Sequence, residues 1–96
     1  MIYSEIFFIF VSMYLIKEAN AWVKRKMGPD EVIRIVPDAG GEKVVIYNLY
    51  VAYGSSDYLG RILFDQQGYW IYDGDIFSVV EQEQLAKFII NHEEMI

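Results

Sequence analysis

Two hydrophobic periods divide this chain, and they change at Gly28-Pro29. Before that dipeptide, Leu15, Ile16, Ala19, Trp22, Val23 and Met27 recur at spacings of three and four, the stripe of an amphipathic helix. Lys17, Glu18, Asn20, Lys24 and Arg25 fall on the opposite side. Lys26 is the exception on the apolar side, where its stem can lie flat with the ammonium in water. Upstream, Ile6 to Val11 is apolar on every side, which suits a helix buried all round, with a strand as the other option because Ile, Phe and Val favour sheets. The pattern predicts one helix over about 4–27. Gly28-Pro29 ends it, and Lys24-Arg25-Lys26 complements its negative C-terminal end. The front half of this helix is expected to meet a second copy of the chain.

Beyond Gly28-Pro29 the period drops to two. Val32, Arg34 and Val36 alternate with Ile33 and Ile35, a short strand. Pro37-Asp38-Ala39-Gly40-Gly41 is turn chemistry. Lys43 to Gly54 is the longest strand candidate. Val45, Tyr47, Leu49, Val51 and Tyr53 line one side, and Val44, Ile46, Asn48, Tyr50 and Ala52 the other. A strand apolar on both sides belongs at the centre of a sheet with something packed on each face. Ser55-Ser56-Asp57 turns the chain into a third strand, Leu59 to Phe64, where Gly60 suggests a bulge. Tyr69 to Tyr72 makes a fourth. Short turns make these strands antiparallel neighbours. Ser78-Val79-Val80-Glu81 then has the form of a capping box, followed by the Leu85–Phe88–Ile89 stripe of a second helix, with Ala86 and Ile96 beside it. The fold class expected is α+β. A four-stranded antiparallel meander over about 31–73 is flanked by the N-terminal helix and a C-terminal helix over about 79–94. The whole of 1–96 forms one domain.

Composition sharpens this outline. Of 96 residues, 54% are hydrophobic and 17% aromatic, against the ~45–50% apolar of an ordinary domain. That excludes disorder and points to apolar surface buried against another chain. The net charge is −6. Residues 44–96 carry the whole excess, with Arg61 and Lys87 against eight acids. An acidic field of this kind argues against nucleic acid as a partner and suits solubility or a basic protein. No cysteine is present, so disulfides and thiolate metal sites are excluded, and a reducing, cytoplasmic compartment is expected. A membrane span needs ~20 apolar residues. Lys17, Glu18 and Asn20 end the run from Ile6 to Ile16 short of that. Ala19-Asn20-Ala21 has the form of a signal cleavage site, but the leader MIYSE carries Glu5 and neither Lys nor Arg.

Candidate chemistry is sparse. No P-loop, G-x-G-x-x-G, H-E-x-x-H or G-x-S-x-G occurs. His92 is the only histidine, and with no nucleophile assigned beside it, it reads as a packing or capping residue near the helix end. The stretch DQQGYWIYDGD, Asp65 to Asp75, has acids and glycines in quantity. A calcium loop needs oxygen ligands at successive alternate positions. Only Asp73 and Asp75 have that alternation, so the stretch reads as a turn, a strand and the lead-in to a helix. Convergence of Asp73, Asp75 and Glu81 would leave at most a weak cation site. No metal and no cofactor is expected.

The aromatic residues carry more. Tyr47, Tyr50, Tyr53, Tyr58, Tyr69 and Tyr72 fall in the sheet region with Trp70. Rings with polar tips are common in strands, and they are enriched at interfaces and pockets. Tyr47, Tyr50, Tyr53, Tyr69, Trp70 and Tyr72 are the candidate binding residues. The function expected is that of a small acidic, non-enzymatic protein-interaction module that forms a homo-oligomer. The alternative is a small-molecule-binding domain with a Tyr/Trp-lined pocket between sheet and helix. Membrane attachment or export through residues 6–16 is the weaker alternative.

Overall fold

The computed structural model describes residues 14–38 and 43–91. The apolar front segment, the tip of the Pro37–Gly41 turn, His92 and Ile96 lie outside the described residues. Five strands follow one another: β1 (Ala19–Val23), β2 (Glu31–Asp38), β3 (Val45–Val51), β4 (Tyr58–Phe64) and β5 (Trp70–Asp73). A helix, α1 (Val79–Asn91), closes the described chain. The sheet order is β1-β2-β3-β4-β5, with every neighbouring pair antiparallel. The expected α+β class and antiparallel meander therefore hold. The count of four strands does not, since the described residues form five, and neither does the N-terminal helix over its described part, residues 14–27.

The helix expected to run through Met27 is replaced by an edge strand. Ala19 to Val23 pairs residue by residue with Ile35 to Glu31. Ala21 and Val23 are buried while Asn20 and Trp22 are exposed, so the working period is two. Residues 19, 22 and 23 also satisfy a three-and-four spacing, which is why the two patterns coincide over so short a stretch. Ile16, Trp22 and Met27 of the supposed stripe are exposed. Lys24-Arg25-Lys26 accordingly sits at a strand exit rather than a helix C-terminus.

One face of the sheet carries the core. Ala21 and Val23, Ile33 and Ile35, Tyr47 and Leu49, and Ile62 and Phe64 contribute buried side chains from four successive strands. Leu85, Ala86 and Ile89 of α1 cover them, with Phe77 and the chain at Tyr14-Leu15. The Leu15 amide donates to the Ile89 carbonyl (3.2 Å). The Tyr47 hydroxyl donates to the Leu15 carbonyl (2.8 Å). The Tyr14 and Tyr47 rings both meet Phe64 edge-on, with centroids 5.1 and 5.7 Å away, the arrangement that ring quadrupoles favour. These contacts hold Tyr14-Leu15 between helix and sheet.

The connections follow the local chemistry. Asp65 Oδ1 accepts from the amides of Gln67 (2.9 Å) and Tyr69 (3.0 Å). Gly68 closes that hairpin at φ 92°, a conformation open to glycine at no steric cost. Gly60 is the bulge expected from the sequence. It sits at φ 106°, beside the register shift between Leu49 and Tyr50. A Cβ there would lie 2.8 Å from the Asp73 carbonyl oxygen and 2.9 Å from the Tyr72 ring. The side chain of Tyr72 can cross β4 only because position 60 is bare.

Candidate interaction surface

The face opposite the core has a different character. Strand pairing sets its side chains in four rows. They are Trp22–Val32, then Asn20–Arg34–Tyr50–Tyr58, then Val36–Asn48–Arg61–Asp73, and last Asp38–Ile46–Leu63–Ile71. Every one of these residues is half-buried or exposed, and none is buried. The helix lies on the other side, so among the described residues no element packs over this face, the open face of the sheet. Its first and last rows are apolar at opposite corners: Trp22 with Val32, and Ile46 with Leu63 and Ile71. Trp22 is 72% exposed and Ile71 65%.

The charged groups between these corners are paired. Arg34 pairs with Glu18 at 3.2 Å and lies 4.8 Å over the Tyr50 ring, a cation–π contact. Tyr50 and Tyr58 stack at a tilt, 5.5 Å apart. The Tyr58 hydroxyl donates to Asn48 Oδ1 (3.3 Å). Arg61 pairs with Asp73 at 3.0 Å. The result is a nearly neutral, aromatic-rich plane on a chain of net charge −6.

The six candidate binding residues do not gather in one place. Tyr47 is buried in the core, and burial raises the pKa of its hydroxyl. Tyr72 also faces the core. Its hydroxyl donates to the Leu59 carbonyl (2.6 Å) and accepts from the Ile76 amide (3.2 Å), and desolvation raises its pKa. A Cβ at Gly74 would fall on the Tyr72 ring, so the glycine of Asp73-Gly74-Asp75 makes room for that ring. Tyr50 lies on the open face. Tyr53 and Tyr69 stand exposed in the β3–β4 and β4–β5 turns. Trp70 alone of the six reaches a groove between α1 and β5. That groove encloses about 600 Å³ and is lined by Trp70, Val80, Ala86, Lys87 and Ile90 among others. Reading the sequence missed Trp22, Leu63 and Ile71. The signal for Trp22 was present, because a period-two reading of 19–23 sets it on the face opposite Ala21.

An ionic knot around the buried Glu81 carboxylate holds the helix to the sheet. Ser78 and Glu81 form the expected capping box: the Ser78 amide donates to Glu81 Oε1 (2.9 Å), and the Glu81 amide donates to Ser78 Oγ (3.3 Å). Glu81 Oε2 takes Arg25 Nε at 3.0 Å and the Lys26 amide at 3.4 Å. Arg25 also pairs with Glu31. One turn along α1, the Gln84 side chain accepts from the Lys24 amide (2.8 Å) and donates to the Lys24 carbonyl (2.9 Å). The basic run thus clamps the first turns of α1. The Ser78 amide, above all, holds the Glu81 carboxyl below its usual range against the opposing effect of burial, with the Lys26 amide and Arg25 adding to the lowering.

Among the described residues no group of three or more acidic or histidine side chains is placed to hold a metal ion. No helix among them is long and apolar enough to cross a membrane. No protein-family model matches the chain, and no curated protein and no solved structure matches it.

Glu81→Gln is expected to destabilise the protein by about 1–2 kcal/mol at neutral pH, the scale of a lost cap and charge-assisted hydrogen bonds. The folded state binds the Glu81 proton more weakly than the unfolded state. The stability it contributes is therefore full above the unfolded value of ~4.3 and is lost as pH falls through the folded value. Urea titrations should show the gap between wild type and variant closing below about pH 4. A gap independent of pH contradicts the assignment.

Proposed function

We propose that this chain is a small acidic protein-interaction module, working by binding rather than catalysis, whose working surface is the open face of its sheet. One observation carries the reading. The central strand is apolar on both sides, yet α1 covers only one of them, and no described residue on the other is buried. A solvent-facing sheet normally turns polar residues outward. Here Trp22, Val32, Val36, Ile46, Leu63 and Ile71 share the outward face with two tyrosines. Apolar corners set around an aromatic, charge-paired centre are a composition that suits a protein interface. Arg34 over Tyr50 adds a planar charged group on an aromatic ring, a composition enriched in interface hot spots.

The test is affinity capture from the source cell with wild type and with an Ile71→Glu variant. Proteins retained by wild type should be lost with the variant while its far-UV spectrum stays unchanged. Identical captures, or none with either protein, contradict the reading.

A second reading rests on the groove beside Trp70, whose volume lies within the ~300–1,000 Å³ usual for small-molecule sites. Its apolar lining and the Lys87 and Glu83 side chains suit an elongated apolar molecule with a polar end. A Trp22→Phe variant leaves Trp70 as the sole tryptophan. Saturable change in its emission on titration with medium-chain fatty acids supports this reading, and a flat emission removes it.

A further inference from the structure

We infer that the partner of the open face is a second copy of this chain, the two sheets packing face to face. The inference rests on the interaction reading above and narrows it to one partner. Charge is the first argument. Two chains of net charge −6 repel unless they meet where the excess is absent. On the open face Arg34 is neutralised by Glu18 and Arg61 by Asp73. Asp38 is the only further acid in its rows. Asp30 borders the face, where it accepts from Trp22 Nε1 (3.2 Å), and the excess lies elsewhere, at Asp57, Asp65, Asp75 and Glu83, which are exposed turn and helix positions. A strongly basic partner would find its complement at those positions and not on this plane. A like-charged copy meets little repulsion here, because charges beyond about 8 Å are screened at physiological salt.

Size is the second argument. Five strands of four to eight residues, about six on average, at ~4.8 Å spacing and ~3.3 Å rise make a plane of roughly 24 by 20 Å. Facing copies would cover about 1,000 Å² in total, the size at which specific interfaces begin. The arrangement also suits self-pairing. The apolar corners at Trp22–Val32 and Ile46–Leu63–Ile71 lie diagonally across the plane. A two-fold axis in the contact plane, along either diagonal, sets apolar corner on apolar corner. Either choice crosses the strands of the two sheets near a right angle, one of the two established modes of sheet packing.

Light scattering of the full chain across the micromolar range tests the inference. Wild type is expected to be a dimer. Ile71→Glu and, independently, Trp22→Glu should each weaken dimerisation at least about tenfold, by adding like charge across the two-fold and removing an anchor. Both should keep the wild-type far-UV spectrum. Val79→Glu, on the exposed start of α1, should remain a dimer. A strictly monomeric wild type overturns the inference, as do dimers that survive both open-face substitutions. If wild type is monomeric yet Ile71→Glu still abolishes capture of another protein, the interaction reading stands and only the second copy falls. If neither effect is seen, both fall.

Discussion

A sheet has two faces, and this one has a single described helix to cover them. That imbalance governs the molecule. β3 sits at the centre of the five described strands, and apart from Asn48 its alternate positions are apolar or aromatic on both sides. Tyr47 and Leu49 go under α1 and vanish from solvent. Ile46 and Tyr50 go the other way and remain partly in water. Apolar surface left wet forgoes about 25 cal/mol per Å² of the stabilisation its burial would bring. The open face therefore has a standing tendency to be covered.

The covered face depends on how firmly α1 is docked. Its first turns are fixed by the Glu81 carboxylate, which serves the helix cap and Arg25 at once. Its far end is tied by the Ile89 carbonyl to Leu15, whose own carbonyl takes the Tyr47 hydroxyl. The two ties lie at opposite ends of the helix and use different chemistry, one ionic and partly exposed to pH, the other neutral and buried. Between them Leu85, Ala86 and Ile89 fill the core. A helix fixed at both ends over the core face leaves the opposite face as the place where association can act without unfolding anything.

Much of this was legible in the residues, and the exceptions have physical causes. Strands with clear alternation, such as Val32 to Val36, were readable because one side chain in two must face the core. The capping box at Ser78 and the Asp65–Gly68 turn were readable because each depends on residues only a few positions apart. β1 was not, because five residues are too few to separate a period of two from one of 3.6. Its strand state comes from pairing with Ile33 and Ile35, a contact that no local pattern encodes. The same error hid the open face, since Trp22 was assigned to a helix stripe. The scattering of the tyrosines over core, turns and open face was equally hidden. Ring content signals that surface is available for binding, but only strand register decides which side of the sheet each ring takes.

The proposed burial of the open face by a second copy can be read directly by hydroxyl-radical footprinting of the full chain over a range of protein concentrations. Trp22, Leu63 and Ile71 should become protected as concentration rises, while Tyr53 and Tyr69, exposed in the turns, keep constant reactivity. Equal and unchanging reactivity of Trp22 and Tyr53 at every concentration would contradict it.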